Sequence, residues 1–216
     1  MPDAIQRMLA SIAVLLTLPL LAALAIAVRL ETRGGAIYAA QRVGEGGRPF
    51  TCLKLRSMVT RRDSGQRLTR AADPRITRVG RLLRKTHLDE LPQLWNIARG
   101  EMRFVGPRPE DPHFVDLELP LHRFVFTAKP GITGLAQLLN ADEETRLVDE
   151  DPTRLYREVL LPRKLALDAA YLRHRSTRLD LWIMAQTPRA ILGRKVRLPA
   201  DLASETAPAG VAGVEP

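Results

Sequence analysis

The sequence predicts a mainly helical α+β protein, in which an N-terminal re-entrant membrane segment precedes one compact domain. Met8 to Val28 contains no charged residue. Apolar residues recur at helical spacing in four later segments, at positions 76–83, 91–98, 155–173 and 179–192. At 216 residues the chain has room for a membrane element and one domain of roughly 100 to 200 residues. We therefore predict a membrane segment over 1–33, a compact domain over 34–198 and a disordered, Ala-, Gly- and Pro-rich tail over 199–216.

The apolar N-terminal run would form a helix of about 30 Å, which matches the hydrocarbon core of a bilayer. Pro19 lies near its middle, where it removes a backbone hydrogen bond, and Arg7 and Arg29 place positive charge at both ends. These features favour a helix-break-helix that enters and leaves the membrane on one side. A simple spanning helix and a cleaved signal peptide, with Ala25-Ile26-Ala27 as the cleavage site, are the alternatives.

The charge balance implies an anionic partner. Lys and Arg outnumber Asp and Glu by 33 to 24, which suits nucleic acid, anionic lipid or a phosphorylated substrate. Aromatic residues are only 5% of the chain, a composition that disfavours the stacking platforms of single-strand nucleic-acid binders. The single cysteine excludes an intramolecular disulfide, and the sequence contains no HExxH, Walker or GxSxG motif.

After the membrane segment, Ala36 to Val43 and Pro49 to Met58 are predicted as short extended segments around the glycine-rich turn Gly44 to Gly47. Lys54 and Arg56 would share one face of a strand, where they could form an anion-binding edge or a merely half-exposed surface. The polar stretch from 61 to 72 is predicted as a mobile surface loop.

A basic amphipathic helix follows, with Ile76, Val79, Leu82 and Leu83 on its apolar face and Arg84 nearest to the next motif. Leu91 to Ala98 is predicted as a second helix that Asp89 and Glu90 cap and in which Pro92 occupies the first turn.

Three prolines, at 107, 109 and 112, then predict an extended loop. Lys129 to Gly134 predicts a tight turn whose glycines are free to adopt positive φ. Two helices, at 155–173 and 179–192, complete the domain.

Asp89 and Glu90 are the strongest candidates for chemistry. Adjacent carboxylates at a helix start are usually plain caps. However, neighbouring helical residues point about 100° apart, so one carboxylate could attack phosphorus while the other binds a metal beside it. Arg108 lies between two prolines, which reduce the entropy lost when its guanidinium binds a phosphate.

These motifs resemble those of the bacterial sugar transferase family, the polyprenyl-phosphate glycosylphosphotransferases or small monotopic phosphoglycosyl transferases. The resemblance extends from the apolar N-terminal run to about Leu192. It rests on motifs in family order: QRVG at 41–44, KLRSM at 54–58, DPRITRVGRLLRK at 73–85, LDELPQLWN at 88–96, GEMRFVGPRPE at 100–110, KPGITGLAQ at 129–137 and LDAAYLRHRSTRLDL at 167–181. The LDELPQ and VGPRP motifs at this separation are its most specific part.

The resemblance implies transfer of a sugar-1-phosphate from a UDP-sugar to a polyprenyl phosphate such as undecaprenyl phosphate, with release of UMP. It implies that Asp89 is the nucleophile, which forms a covalent phosphosugar intermediate, and that Glu90 binds Mg²⁺. It assigns substrate-binding roles to Lys54, Arg84 and Arg108, and less directly to Asp168 and Arg173.

The resemblance also implies a re-entrant segment in the bacterial inner membrane, with the catalytic domain on the cytoplasmic face. The expected partners are membrane lipid, the UDP-sugar and the polyprenyl phosphate, with no nucleic acid, and a homodimer is left open.

Three residues depart from the family pattern. Leu18 replaces the usual serine before the proline of the break, His87 replaces a small hydroxyl residue, and Arg103 replaces a common serine. These departures do not change the predicted reaction class, but they leave the identity of the sugar open. The pathway is open as well, and could be the synthesis of exopolysaccharide, capsule, O-antigen or glycoprotein. The alternative function is that of a membrane-tethered basic nucleic-acid-binding protein without catalysis.

Overall fold

The computed structural model describes residues 1–59, 68–69, 73–139, 151–194, 196, 198–199 and 202. Its helices are α1 Asp3–Glu31, α2 Arg78–Thr86, α3 Gln93–Arg99, α4 Pro120–Val125, α5 Leu135–Leu139, α6 Pro152–Leu155, α7 Leu161–Arg173 and α8 Thr177–Ile191. Its strands are β1 Ile37–Val43, β2 Pro49–Leu55, β3 Arg103–Val105 and β4 Gly131–Thr133. The predicted mainly helical fold with short strands is confirmed.

Two predicted segments fall largely outside this description. Of the surface loop predicted for 61–72, only 68 and 69 are described. Of the tail predicted for 199–216, only 199 and 202 are described, and Leu202 is buried against the cluster around α8.

Helix α1 continues through Pro19 as one uninterrupted helix. The predicted helix-break-helix is therefore not confirmed. Thr17 donates its hydroxyl to the carbonyl of Ala13 rather than to that of Leu15, the group that Pro19 leaves without an intrahelical donor. Within the described residues, α1 is the one helix whose length and composition would allow it to cross a membrane.

One side of α1 packs along the domain. Near its start, Ala10 is fully buried in a cluster with Leu94 and Ile97 of α3. Near its end, Val28 is buried with Leu55 of β2 and Leu83 of α2. The opposite side is exposed and apolar, with members that include Met8, Ile12, Leu15, Leu16, Leu20 and Ile26. Because lipid is the environment that would cover such a side, α1 is suited to membrane association.

Polar contacts hold both ends of α1 to the same domain. At the start, Gln6 accepts the N–H of Phe104 at 3.0 Å. Asp3 lies there between Arg103 and Lys129, and it forms an ion pair with each. Arg103, one of the three departures from the family pattern, therefore holds the start of the helix.

The end of α1 is held by two further residues. Glu31 accepts the backbone N–H groups of Arg78 and Val79 at 2.6 and 2.9 Å, which joins the helix to the first turn of α2. Arg56, which is 8% exposed, donates to the carbonyls of Thr32 and Arg33. Both ends of α1 therefore lie on the same body.

Strands β1 and β2 form an antiparallel hairpin, and the predicted glycine-rich turn connects them. Asn96, buried in α3, fixes β2 from the side: its Oδ1 accepts the N–H of Leu53, and its Nδ2 donates to the carbonyl of Thr51. These two hydrogen bonds set the position of Lys54, which follows Leu53 in β2.

Strands β3 and β4 pair in parallel. Gly131 and Gly134 are absent from the residues with positive φ, so the predicted reason for these glycines is wrong. These glycines are needed because the backbone at Gly131 and Gly134 packs directly against the backbone of Gly106. A Cβ on Gly131 would lie 2.1 Å from the nitrogen of Gly106, and a Cβ on Gly134 would lie 2.2 Å from the carbonyl oxygen of Gly106. This contact fixes the start of the Pro107 to Pro109 loop.

The C-terminal helices are confirmed, with one irregularity. Between α6 and α7 the chain widens into a π-helical turn at Tyr156–Leu160. Pro162 follows directly and cannot donate to the carbonyl four residues earlier, which accounts for the wider turn. The turn leaves Tyr156 buried within a cluster that includes Phe114, Val125 and Leu165.

Candidate active site

Asp89 and Glu90 lie in a single 3₁₀ turn, Leu88–Glu90, between α2 and α3. His87 ends α2 in the left-handed conformation, with φ of 54°, and this sharp reversal turns the chain toward β2. Helix α3 begins only at Gln93, after Pro92. The prediction that the two carboxylates cap α3 is therefore wrong, since they lie in the separate turn before it.

Glu90 forms a short ion pair with Lys54. The distance from Lys54 Nζ to Glu90 Oε1 is 2.7 Å, and both side chains retain some exposure, 21% for Lys54 and 17% for Glu90. Burial alone would raise the pKa of Glu90, but the charges of Lys54 and Arg108 lower it to about 2. Glu90 is therefore ionised at neutral pH.

Asp89 is more buried than its neighbour, at 7% exposure. Burial raises the pKa of this carboxyl, and the adjacent negative charge of Glu90 raises it further, while Lys54 and Arg84 favour the ionised form. A carboxylate that is stripped of water but kept beside cations is suited to attack an electrophile.

Arg84 lies on the face of α2 that approaches the turn. Its Nη1 is 3.5 Å from the hydroxyl of Ser57 in the segment after β2. Gly80 makes this approach possible, because a Cβ there would lie only 1.9 Å from the carbonyl oxygen of Ser57. The glycine thus lets α2 pack directly on the backbone and sets the position of Arg84.

Arg108 lies in the loop after β3. Its backbone N–H donates to Asp168 Oδ2 at 3.2 Å, and its charge helps to lower the pKa of Glu90. The charges of Lys54 and Arg84 act on Asp89, and those of Lys54 and Arg108 act on Glu90, so the structure brings these three predicted cations to the Asp89–Glu90 dyad.

Asp168 takes part indirectly, through the backbone of Arg108 rather than through the dyad. Its exposure is 2%, and within the described residues its Oδ1 has no hydrogen-bond partner. Burial raises the pKa of Asp168 to about 7, although the N–H of Arg108 and the charge of Lys164 lower it.

Two of the predicted substrate-binding residues lie elsewhere. Arg56 does not share the ligand-facing side of β2 with Lys54, because its guanidinium is occupied at the end of α1. Arg173 is exposed in the last turn of α7. For both residues, substrate binding stays a prediction.

Sequence reasoning missed a buried network behind Arg108. Lys164 Nζ lies 2.6 Å from Glu110 Oε1, and Tyr156 donates its hydroxyl to Glu110 Oε2 at 2.7 Å. Burial would raise the pKa of Glu110, but the charges of Lys164 and Arg108 lower it to about 2. Lys164 precedes Asp168 by four residues, a spacing that places both on one helix face, but no local signal links Lys164 to Glu110, which lies 54 positions earlier.

The dyad offers two of the oxygen ligands that Mg²⁺ prefers. Magnesium usually binds one or two carboxylates and completes its shell with water and substrate phosphates. Within the described residues, no group of three or more acidic, histidine or cysteine side chains is arranged around a metal. The two carboxylates fit Mg²⁺ when substrate phosphates supply the remaining ligands.

The chain is similar to known proteins over most of its length. Residues 2–194 match the model of a family described as bacterial sugar transferase. An Aeromonas hydrophila protein named UDP-N-acetylgalactosamine-undecaprenyl-phosphate N-acetylgalactosaminephosphotransferase is 37% identical over 187 residues, which cover 85% of this chain and 41% of that protein.

Two further relatives carry similar names. A Caulobacter vibrioides UDP-glucose:undecaprenyl-phosphate glucose-1-phosphate transferase is 38% identical over 81% of this chain and 63% of its own length. A putative undecaprenyl-phosphate N-acetylgalactosaminyl 1-phosphate transferase of Bacillus subtilis is 47% identical over 50% of this chain and 60% of its own length. The chain thus spans 41 to 63% of the length of these three relatives.

Proposed function

The chain belongs to the bacterial sugar transferase family, and from this premise we propose that it transfers a sugar-1-phosphate from a UDP-sugar to a polyprenyl phosphate, releasing UMP. The relatives named for UDP-sugars and undecaprenyl phosphate support these two substrates. The observation that carries the proposal is the buried Asp89, which lies next to an ionised Glu90 and within the field of Lys54 and Arg84.

The proposed reaction has two displacements at one phosphorus. A carboxylate oxygen of Asp89 attacks the sugar-bearing phosphorus of the UDP-sugar, and the bond to the bridging oxygen breaks, so that UMP leaves with the electron pair. A phosphate oxygen of the polyprenyl phosphate then attacks the same phosphorus. The bond to Asp89 breaks, the carboxylate is regenerated, and the product is a polyprenyl diphosphosugar.

The cations around the dyad would hold the phosphates in this reaction. The charge of Arg84 acts on Asp89 and that of Arg108 on Glu90, and a guanidinium can bind two phosphate oxygens at once. Lys54 would exchange part of its contact with Glu90 for a phosphate oxygen. Bound Mg²⁺, held by Glu90, would supply Lewis-acid stabilisation of the phosphate charge.

The position of α1 supports a monotopic arrangement. Because Gln6 and Glu31 both bind the same domain, the two ends of the helix lie on the same side of any bilayer that accepts its apolar surface. We propose that this side is the cytoplasmic face of the bacterial inner membrane, and that the segment is re-entrant and bends at Pro19 when lipid surrounds it.

This topology can be tested by labelling. Single cysteines at Ala4 and Gly35, in a Cys52→Ala background, should both react with an impermeant thiol reagent only from the cytoplasmic side. Reaction of the two positions from opposite sides would establish a spanning helix instead.

The activity is tested by UMP release from purified protein in nanodiscs, with Mg²⁺ and a panel of UDP-sugars, with and without undecaprenyl phosphate. We expect stoichiometric UMP with one sugar alone, and turnover when lipid is added. Asp89→Asn should lose at least about 10³-fold in turnover while it remains folded, because no nucleophile is left.

Asp116→Asn, an exposed aspartate, is the matched control and should turn over normally. Full activity of Asp89→Asn would exclude the covalent mechanism. Salt-sensitive binding of DNA by both variants, without UMP release from any sugar, would favour the nucleic-acid alternative.

A further inference from the structure

The loop that carries Arg108 is attached to α7 at two points. The first is the hydrogen bond from the N–H of Arg108 to Asp168. The second is the ion pair between Glu110 and Lys164. Asp168 and Lys164 are four residues apart, so the two attachments lie one above the other on a single face of the helix.

The second attachment is sealed from water. Lys164 is 3% exposed and Glu110 is 5% exposed. Lys164 donates to the hydroxyl of Tyr156 at 2.6 Å, and Tyr156 donates to the remaining oxygen of Glu110. The lysine, glutamate and tyrosine thus form a closed triangle in which each member contacts the other two.

Glu110 is also fixed through its backbone, because its carbonyl oxygen accepts the N–H of Val43 at the end of β1. The residue is therefore held from the hairpin and from α7 at once. Pro109 and Pro107 remove most of the remaining freedom between this point and Gly106. Arg108 lies between these two prolines, and its charge acts on Glu90 as well as on Glu110.

Stability alone is a poor reason for such a network. Replacing a buried ion pair by apolar residues of similar volume is often neutral or stabilising, because the pair must first lose its water. A buried pair does, however, specify one arrangement of the groups it joins. The group joined here to α7 is the arginine loop.

We propose that Glu110, Lys164 and Tyr156 are positioning residues that hold Arg108 at the dyad, ready to receive a substrate phosphate. The identity of that phosphate rests on the proposed function. None of the three residues touches the reacting atoms; they act through the loop.

The test is the double substitution Glu110→Leu with Lys164→Met, which removes both charges and preserves most of the volume. We expect a folded protein with a somewhat lower melting temperature than the original chain, because the buried Tyr156 hydroxyl loses its two partners in the triangle. We expect kcat for UMP release to fall about 10- to 100-fold, because misplacing a binding group by about 1 Å has costs of this size. KM for the UDP-sugar should change less than kcat.

A second readout needs no activity. Hydrogen exchange of the Arg108 amide, resolved within the segment Val105 to Asp111, should become faster in the double variant, while exchange in α8 stays the same. Tyr156→Phe keeps the ion pair but removes the hydroxyl, and it should show a smaller change of the same kind.

Two controls separate positioning from general effects. Arg163→Met removes an exposed cation from the neighbouring position of α7, and Ile183→Val makes a small cavity in the α8 core. Both should retain kcat and the exchange rate of Arg108.

An unchanged kcat together with unchanged exchange at Arg108 in a folded double variant would overturn the proposal. If the double variant does not fold, Tyr156→Phe decides: faster exchange at Arg108 supports the proposal, and unchanged exchange contradicts it. If the original chain turns over no UDP-sugar, the proposed function fails, while the exchange experiment still tests whether the triangle holds the loop.

Discussion

The Lys54–Glu90 pair and the Lys164–Glu110 pair have nearly the same length, 2.7 and 2.6 Å. They differ in their access to water. The side chains of Lys54 and Glu90 are 21% and 17% exposed, whereas those of Lys164 and Glu110 are 3% and 6% exposed. A partly exposed pair can exchange its partner for an arriving phosphate or metal at a lower cost than a sealed one. A sealed pair cannot, because opening it leaves a charge without water or a partner. The comparison separates groups that can bind a ligand from groups that hold the frame.

The difference between the two ion pairs is tested most directly by removing each lysine in turn. Lys164→Met leaves Glu110 buried without its partner, so we expect a loss of about 3 to 5 kcal/mol in the free energy of unfolding. Lys54→Met leaves a carboxylate that water can still partly reach, so the loss of stability should be smaller than in Lys164→Met. Turnover of Lys54→Met should nevertheless fall about 100-fold or more, because a phosphate ligand is lost.

Thermal unfolding in nanodiscs and UMP release measure these two effects on the same samples. Arg163→Met is again the control, since it removes an exposed cation without touching either pair. Equal losses of stability in the two lysine variants would show that exposure does not separate the pairs.

The buried carboxyl of Asp168 makes the stability of the folded protein depend on pH. Its pKa in the folded protein is about 7, well above the ordinary aspartate value of 3.8. The folded state therefore binds the proton more tightly than the unfolded state, and stability should fall as pH rises from about 4 to about 7. From the two pKa values, the whole change is about 4 kcal/mol.

Glu90 and Glu110 act in the opposite direction, but at lower pH. Their folded-state pKa is about 2, so the stability they contribute is present above about pH 4.5 and is lost as pH falls toward 2. Between pH 5 and 7 Asp168 therefore contributes a falling slope, to which Asp89, whose pKa burial also raises, adds. His122, whose pKa burial lowers, acts in the opposite direction. Unfolding measured across this range should show a shallower slope in Asp168→Asn, and an unchanged slope would contradict the assignment.

The smallest expected effect concerns Gly80, where α2 packs on the backbone of Ser57. Gly80→Ala would place a Cβ 1.9 Å from the carbonyl of Ser57, so α2 must move outward. We expect a loss of about 1 to 3 kcal/mol in stability, as for other overpacked sites, and a decrease in turnover through displacement of Arg84. Gly35→Ala is the matched control, because its nearest neighbour would lie at an ordinary 3.8 Å.

Much of this arrangement could be predicted from the sequence, because it depends on local signals. Helical periodicity indicated the C-terminal helices, and the glycine-rich turn indicated the hairpin. Adjacent carboxylates, together with Lys54, Arg84 and Arg108, pointed to the dyad and its cations. Each of these signals lies within a few neighbouring residues.

The rest could not be predicted because it depends on contacts between distant segments. Gly131 looks like a turn residue until the nitrogen of Gly106 is found against it. Arg56 looks like an anion ligand until the end of α1 is seen to receive its guanidinium. Glu110 and Lys164 are 54 positions apart, and only the fold makes them partners.

Helix α1 has one more consequence, which concerns height above the lipid. Its inner side forms part of the core with Leu94 and Leu83, on the two helices that flank the Asp89 turn. If α1 lies in a bilayer as proposed, the same helix meets lipid with one side and supports the Asp89 turn with the other. The helix would then set the distance from the lipid surface to Asp89, so that a lipid-borne phosphate could be met at a constant level without a search along the membrane normal.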